Sequence, residues 1–130
     1  MDQKELEKRI LEIRILEQQA KQFEEQVILI DQNIAQIARI QDDLDDIKDI
    51  KDKKILAPLS REVYLETKAE STKTVLVNVG AGVVVRKTTD ETKKYMDKQK
   101  KMFSDARGKL SGEISKIVGR MNEIEQEIRG

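Results

Sequence analysis

Two long helices folded back on one another as an antiparallel coiled coil, with a small β-rich segment at the bend, form the mainly α architecture this sequence predicts. Three observations carry it. A long opening stretch lacks glycine and proline, apolar residues recur there every seven positions, and a Val-rich, Gly-punctuated middle separates it from a second heptad run. Composition agrees: of 130 residues, 38% are charged, 3% are aromatic and one is proline, which suits long solvated helices better than an aromatic globular core.

Residues 4–54 are rich in Glu, Lys, Gln, Ile and Leu. They predict a first helix of about 50 residues, too long for a globular domain of this size and therefore of coiled-coil type. Leu6, Ile13, Ala20, Val27 and Ile34 form one heptad series, and Leu16, Phe23, Ile30, Ile37 and Leu44 the interleaved one, as a and d positions require. After Ile34 the first series meets Gln41 and Lys48 while Ile40 and Ile47 lie beside it, which predicts a local shift of the seam.

Pro58 is expected to end that helix, because it lacks an N–H and disfavours helical geometry at Ala57. Three β-prone runs follow, at 62–67, 73–79 and 83–87. The last two flank Gly80-Ala81-Gly82, read as a three-residue hairpin loop with Gly80 and Gly82 as its turn residues. Residues 62–67 are expected to pair near 57–60 or 68–70. A second helix over residues 89–130 starts from Thr89 or Asp90 as N-cap. Its series are Met96, Phe103, Leu110, Ile117, Ile124 and Ile114, Met121, Ile128, the second meeting Arg107 and Lys100 when followed backwards. Gly108, Gly112 and Gly119 each cost about 1 kcal/mol against Ala and make this helix the softer one.

In an antiparallel hairpin, facing residue numbers add to a constant. Leu16 with Ile124, Phe23 with Ile117, Ile30 with Leu110, Ile37 with Phe103 and Leu44 with Met96 all add to 140. The interleaved series adds to 141, as in Ile13 with Ile128, Ala20 with Met121 and Val27 with Ile114; there Gln41 falls opposite Lys100, and the acidic run at 42–46 lies level with the lysines between Lys93 and Lys101. The chain thus reads as one domain in three parts: 1–54, 55–88 and 89–130.

Several functions are disfavoured. There are 25 basic and 25 acidic residues, so no net positive charge exists to displace counterions from nucleic acid. The distribution is uneven: residues 1–56 carry 10 basic and 14 acidic groups, net −4, and residues 88–130 carry 10 and 8, net +2. No cysteine and no histidine occur, which removes thiolate metal sites and the commonest general base. The glycine pair at 80–82 lacks the Lys-Ser/Thr of a phosphate loop, and Asp42, Asp43, Asp45 and Asp46 lack the glycine and the terminal Glu that a calcium loop requires. No nucleophile–base pair suggests an enzyme, and no metal or other cofactor is expected. With no apolar run of membrane-crossing length, the chain is expected to be soluble and cytoplasmic.

Two groups of residues stand out as contact surfaces. Ile10, Leu11, Ile15 and Val118 lie off or beside the seams where charged residues are usual, and with Met121, Ile124 and Ile128 they form a candidate apolar patch where the two chain ends meet. Val63, Leu65, Val75, Val77, Val79, Val83 and Val85 place apolar side chains on strands too few and short to be stable alone, an association surface.

Residues 55–96 resemble the central region of the alpha-type prefoldin subunit. The aliphatic-Pro-Leu start is Leu56 to Leu59, the Tyr-containing strand Val63 to Leu65, the apolar strand ending in Val-Gly-x-Gly Val75 to Gly82, and the Val-rich strand Val83 to Lys87. Ser60-Arg61-Glu62 departs from the small or Gly-rich turn common in that family. The resemblance implies an ATP-independent holdase without enzymatic activity. It implies hexamers of two alpha-type and four beta-type subunits built on a β-barrel body. Coiled-coil tips would hold unfolded client proteins for transfer to a group II chaperonin. The competing reading is a coiled-coil tether or assembly adaptor that binds one folded partner.

Overall fold

The computed structural model describes all residues, 1–130. In chain order the elements are helix α1 (Gln3–Asp46), a 3-10 turn (Ile47–Ile50), strands β1 (Lys54–Ser60), β2 (Val63–Lys68), β3 (Thr74–Gly80) and β4 (Val83–Thr88), and helix α2 (Thr89–Arg129). The chain divides into a helical unit, Met1–Ile34 with Lys101–Gly130, and a hairpin unit, Ala35–Lys100.

In the helical unit, α1 begins where Asp2 caps it: the Glu5 N–H donates to Asp2 Oδ1 at 2.8 Å. The residues partly withdrawn from solvent include those of the two heptad series, from Leu6 and Ile13 through Phe23, Val27 and Ile30. On α2 they include Phe103, Leu110, Ile114, Met121 and Ile128, and Ile117 and Ile124 are buried. Ion pairs set the direction. Asp31 meets Arg107, Glu12 meets Arg120 and Arg9 meets Glu127, low numbers with high, as only antiparallel helices allow. The expected antiparallel sense is therefore the one formed, whereas these pairs add to 138, 132 and 136 and fall short of the expected 140.

In the hairpin unit α1 stops at Asp46, eight residues before the expected end at 54, and Pro58 plays no part in stopping it. The cause is electrostatic. Asp42, Asp43, Asp45 and Asp46 crowd the negative end of the helix dipole, and the last turn holds no basic residue. After the 3-10 turn, Asp52 adopts φ 61°, a left-handed conformation that Asp tolerates better than most residues. Its N–H donates to the Ala69 carbonyl at 3.2 Å, tying the end of the turn to the segment after β2. Pro58 sits within β1, opposite Tyr64; a two-stranded sheet has only edge strands, where its missing N–H is harmless.

The strands form two separate antiparallel hairpins, β1–β2 and β3–β4. Their registers are the same at an offset of twenty residues: Lys54 pairs with Lys68 and Ser60 with Val63, as Thr74 pairs with Thr88 and Gly80 with Val83. Both carry an irregularity at the same point, Pro58/Ser60 and Asn78/Gly80. The second loop is two residues, Ala81-Gly82, rather than three, because Gly80 belongs to the ladder. Ala81 (φ 51°) and Gly82 (φ 75°) are both left-handed, as a type I′ turn demands, and Gly80 at φ 123° takes a conformation that side chains oppose. The first loop, Arg61-Glu62, reaches the same register without positive φ.

The start of α2 is fastened to the bend that leads into β3. Thr89 donates its N–H to the Lys73 carbonyl (2.9 Å) and its hydroxyl to the Thr72 carbonyl (2.8 Å). The N-cap is Thr88, not Thr89 or Asp90: the Glu91 N–H donates to Thr88 Oγ1 at 3.0 Å, three residues on. Thr92, 2% exposed, satisfies its hydroxyl on the Thr88 carbonyl. Within the hairpin unit Ile37 and Leu44 are buried, Ile47 is half-buried and Ile40 stays exposed. Gln41 keeps its seam place by donating to Asp97 Oδ1 at 2.6 Å, one turn from the expected Lys100. The acidic run does meet the lysines, through Asp45 and Lys93 at 2.6 Å.

Candidate interaction surfaces

The helical unit presents apolar side chains that its seam does not use. Ile10 (41% exposed), Leu11 (58%), Ile15 (51%) and Val118 (47%) are open, as their off-seam positions require. Met121 and Ile128 are half-buried, and Ile124 is fully buried at 0%. Ile124 is thus a correction: it stands in a heptad series and packs the seam, so it offers no open surface.

Beside this patch lies a network that the heptad reading does not reveal. Arg9 occupies a position where the seam expects an aliphatic residue. Its Nε stands 2.8 Å from Glu127 Oε2, yet makes no aligned hydrogen bond, so the contact is electrostatic. Arg120 grips Glu12 with two nitrogens, at 2.9 and 3.4 Å, and also meets Glu123 at 3.2 Å and Glu127 at 3.7 Å. The hydrogen bond from Arg120 holds the Glu12 carboxyl below its ordinary pKa of 4.5, with the charges of Arg120 and Arg9 adding to the effect. The same bond raises Arg120. A second arginine clamp, Arg107 on Asp31 at 2.6 and 3.3 Å, lies further along α1. The sequence signal for both clamps is limited to an arginine at or beside a heptad position of α2, with carboxylates available on α1.

The hairpins form the other surface. Cross-strand partners share a face. In β1–β2 the face with Ile55, Ala57 and Thr67 is half-covered, and the face with Leu56 and Tyr64 is open. In β3–β4 the equivalent faces hold Val75 and Val77, and Leu76 and Val84. Of the strand residues expected to associate, Val63, Leu65, Val79, Val83 and Val85 are exposed. Val75 is half-buried and Val77 buried, a correction for Val77, whose face is already covered within the chain. Leu56, Leu59, Tyr64, Leu76 and Val84 add open apolar area. Every strand also keeps one unpaired backbone edge, since each sheet has two strands. Lys87 covers the Tyr95 ring at 5.5 Å, on the part of α2 nearest the strands in sequence.

Two arms of helix, two hairpins between them and open apolar faces on both parts narrow the choice of family. The model of the prefoldin subunit matches residues 16–130. The chain belongs to the prefoldin family. Its curated relatives are alpha-type prefoldin subunits. The Pyrococcus horikoshii prefoldin subunit alpha is 26% identical over 123 residues, covering 93% of this chain and 83% of that protein. The subunit of Methanosphaera stadtmanae is 28% identical over 99 residues, 76% of this chain and 71% of its own length. That of Thermofilum pendens is 32% identical over 77 residues, and the match spans 60% of its length. Among solved structures, the filamentous prefoldin of Methanocaldococcus jannaschii shares the fold, with a TM-score of 0.79 at 21% identity, over 89% of this chain and 97% of that one. No helix of this prefoldin subunit is long and apolar enough to cross a membrane.

Proposed function

We propose that this prefoldin subunit is an ATP-independent holdase. It binds unfolded proteins at its coiled-coil tip and passes them to a group II chaperonin in the cytoplasm. The supporting observation is that four aliphatic side chains of the helical unit, Ile10, Leu11, Ile15 and Val118, stand open to solvent at positions outside the seam. Half-buried Met121 and Ile128 border the cluster in this reading, and the three segments 1–54, 55–88 and 89–130 work as one functional domain. The strand residues Val63, Leu65, Val79, Val83 and Val85, with Leu56, Tyr64, Leu76 and Val84, join this subunit to beta-type subunits, two alpha with four beta. Edge pairing between subunits would satisfy the free backbone groups and cover both open faces together.

The test replaces Ile10, Leu11, Ile15 and Val118 with Ser in the assembled oligomer. Suppression of aggregation of several unrelated unfolded proteins is expected to be lost, with assembly unchanged by native mass spectrometry. Undiminished protection would overturn the tip assignment, and binding to one folded partner alone would favour a tether.

A further inference from the structure

The heptad frame of α1 divides its solvent side into two flanks with opposite chemistry. On the c, f and g flank, nine positions from Ile15 to Asn33 hold a single charge, Glu25. Six are amides (Gln18, Gln19, Gln22, Gln26, Gln32 and Asn33) and two are the aliphatic Ile15 and Leu29. All nine are exposed. On the b and e flank, five of the six positions from Arg14 to Asp31 are charged, Ile28 being the exception. In a chain with 38% charged residues, a solvated face would resemble the second flank and not the first.

An exposed amide both donates and accepts hydrogen bonds and carries no charge. Only Asn33 spends its amide within the chain, on the Leu29 carbonyl at 3.0 Å. A docked helix is a poor occupant, because its mid-length backbone groups are already paired, and two aliphatic residues fourteen positions apart fall well short of a helix-packing stripe. An extended chain is the better fit. Its free N–H and C=O groups match amides whatever its side chains, and its net charge meets nearly none in return. The flank is about 27 Å long, room for roughly eight extended residues, and it runs on from Leu11 and Ile15.

The geometry points to the amide flank of α1, from Gln18 to Asn33, as a binding track for extended, non-native polypeptide that is indifferent to the sign of the client's charge. This rests on the holdase reading and extends its site from the tip along one side of the arm.

The test uses the full-length chain in the oligomer it forms, with two unfolded probes: reduced, carbamidomethylated lysozyme, which is basic, and similarly treated lactalbumin, which is acidic. A photo-crosslinker replaces Gln22 or Gln32 on the amide flank, or Lys21 or Glu24 on the charged one. Crosslinks to both probes are expected at least fivefold more often from the amide flank. In addition, Q22E/Q32E and Q22K/Q32K, which keep helix propensity nearly constant, are each expected to weaken capture of both probes at least threefold with unchanged helical circular dichroism. Equal yields from the two flanks, crosslinks to another subunit, or opposite effects of Glu and Lys on the two probes would each overturn the track. If the Ser-substituted tip loses the probes while the Gln22/Gln32 variants keep them, the track fails and the holdase reading stands. If the unaltered oligomer captures neither probe, both fall.

Discussion

Ile124 shows what a single side chain carries in this molecule. Only five hydrophobic residues are buried, and Ile124 alone among them is fully so. Ile124→Ala is therefore expected to destabilise the helical unit by about 3 kcal/mol, the lost transfer energy plus a cavity, read as a lower urea midpoint with an unchanged slope. Glu12 is the residue-scale site with a pH signature. Its folded pKa is depressed by the Arg120 hydrogen bond, so its contribution to stability is complete above the ordinary value of 4.5 and is lost as pH falls below it. Unfolding measured between pH 6 and about 3 is expected to show a steeper acid loss in the unaltered chain than in E12Q. Equal slopes would mean the clamp is absent in solution. Neither arginine clamp was legible as such in the heptad pattern, because a charged residue at a seam position reads first as a flaw in the seam.

At the scale of elements, α2 invites a direct test. Gly108, Gly112 and Gly119 lie inside the helix with nothing near the space a Cβ would take. Each Gly→Ala change is expected to stabilise the chain by roughly 0.5–1 kcal/mol, measured by thermal or urea unfolding. A loss instead would mean that this face is covered in the assembly. The helices themselves were the most legible elements: heptads named the seam residues from Leu6 to Leu44 and from Met96 to Ile128 and implied the antiparallel sense, but not the register, since the cross-helix polar pairs add to less than 140. Their ends were less so. Periodicity says where a helix is able to run, but α1 stops at Asp46 through the unfavourable charge at its last turn. The strands were legible by β-branched content and glycine, whereas the two-residue loop was not, since Gly80 serves the ladder and not the turn. At the candidate tip, off-seam position marked Ile10, Leu11, Ile15 and Val118 as open, while listing Ile124 beside them confused seam with surface. Apolar content on both strand faces was visible, but which face the chain itself covers depends on tertiary packing that alternation does not encode.

At the scale of the whole molecule, the tip alone is a weak binder by arithmetic. Covering the exposed half of four aliphatic side chains contributes about 1 kcal/mol each, and a total near 4 kcal/mol corresponds to a dissociation constant of about 1 mM. Under the proposed holdase function, useful retention of a client would need several arms engaged at once, where linkage raises avidity by a factor of about 10²–10⁴. The expectation is that variants carrying charges at Leu56, Tyr64, Leu76 and Val84, which block assembly but leave the arms intact, bind an unfolded probe at least a hundredfold more weakly than the oligomer. Fluorescence anisotropy with a labelled probe measures the difference, and equal affinity would mean that one arm suffices. In the proposed function both open faces would serve one act: the strands would gather the arms, and the arms would share the load.

The twenty-residue echo between the hairpins also governs how that gathering is to be dissected. Leu56 has its understudy in Leu76, and Tyr64 in Val84, at matching ladder positions. A scan that alters one residue at a time leaves the twin in post and so under-reports the worth of either. Redundancy of this kind yields only to substitutions made in pairs.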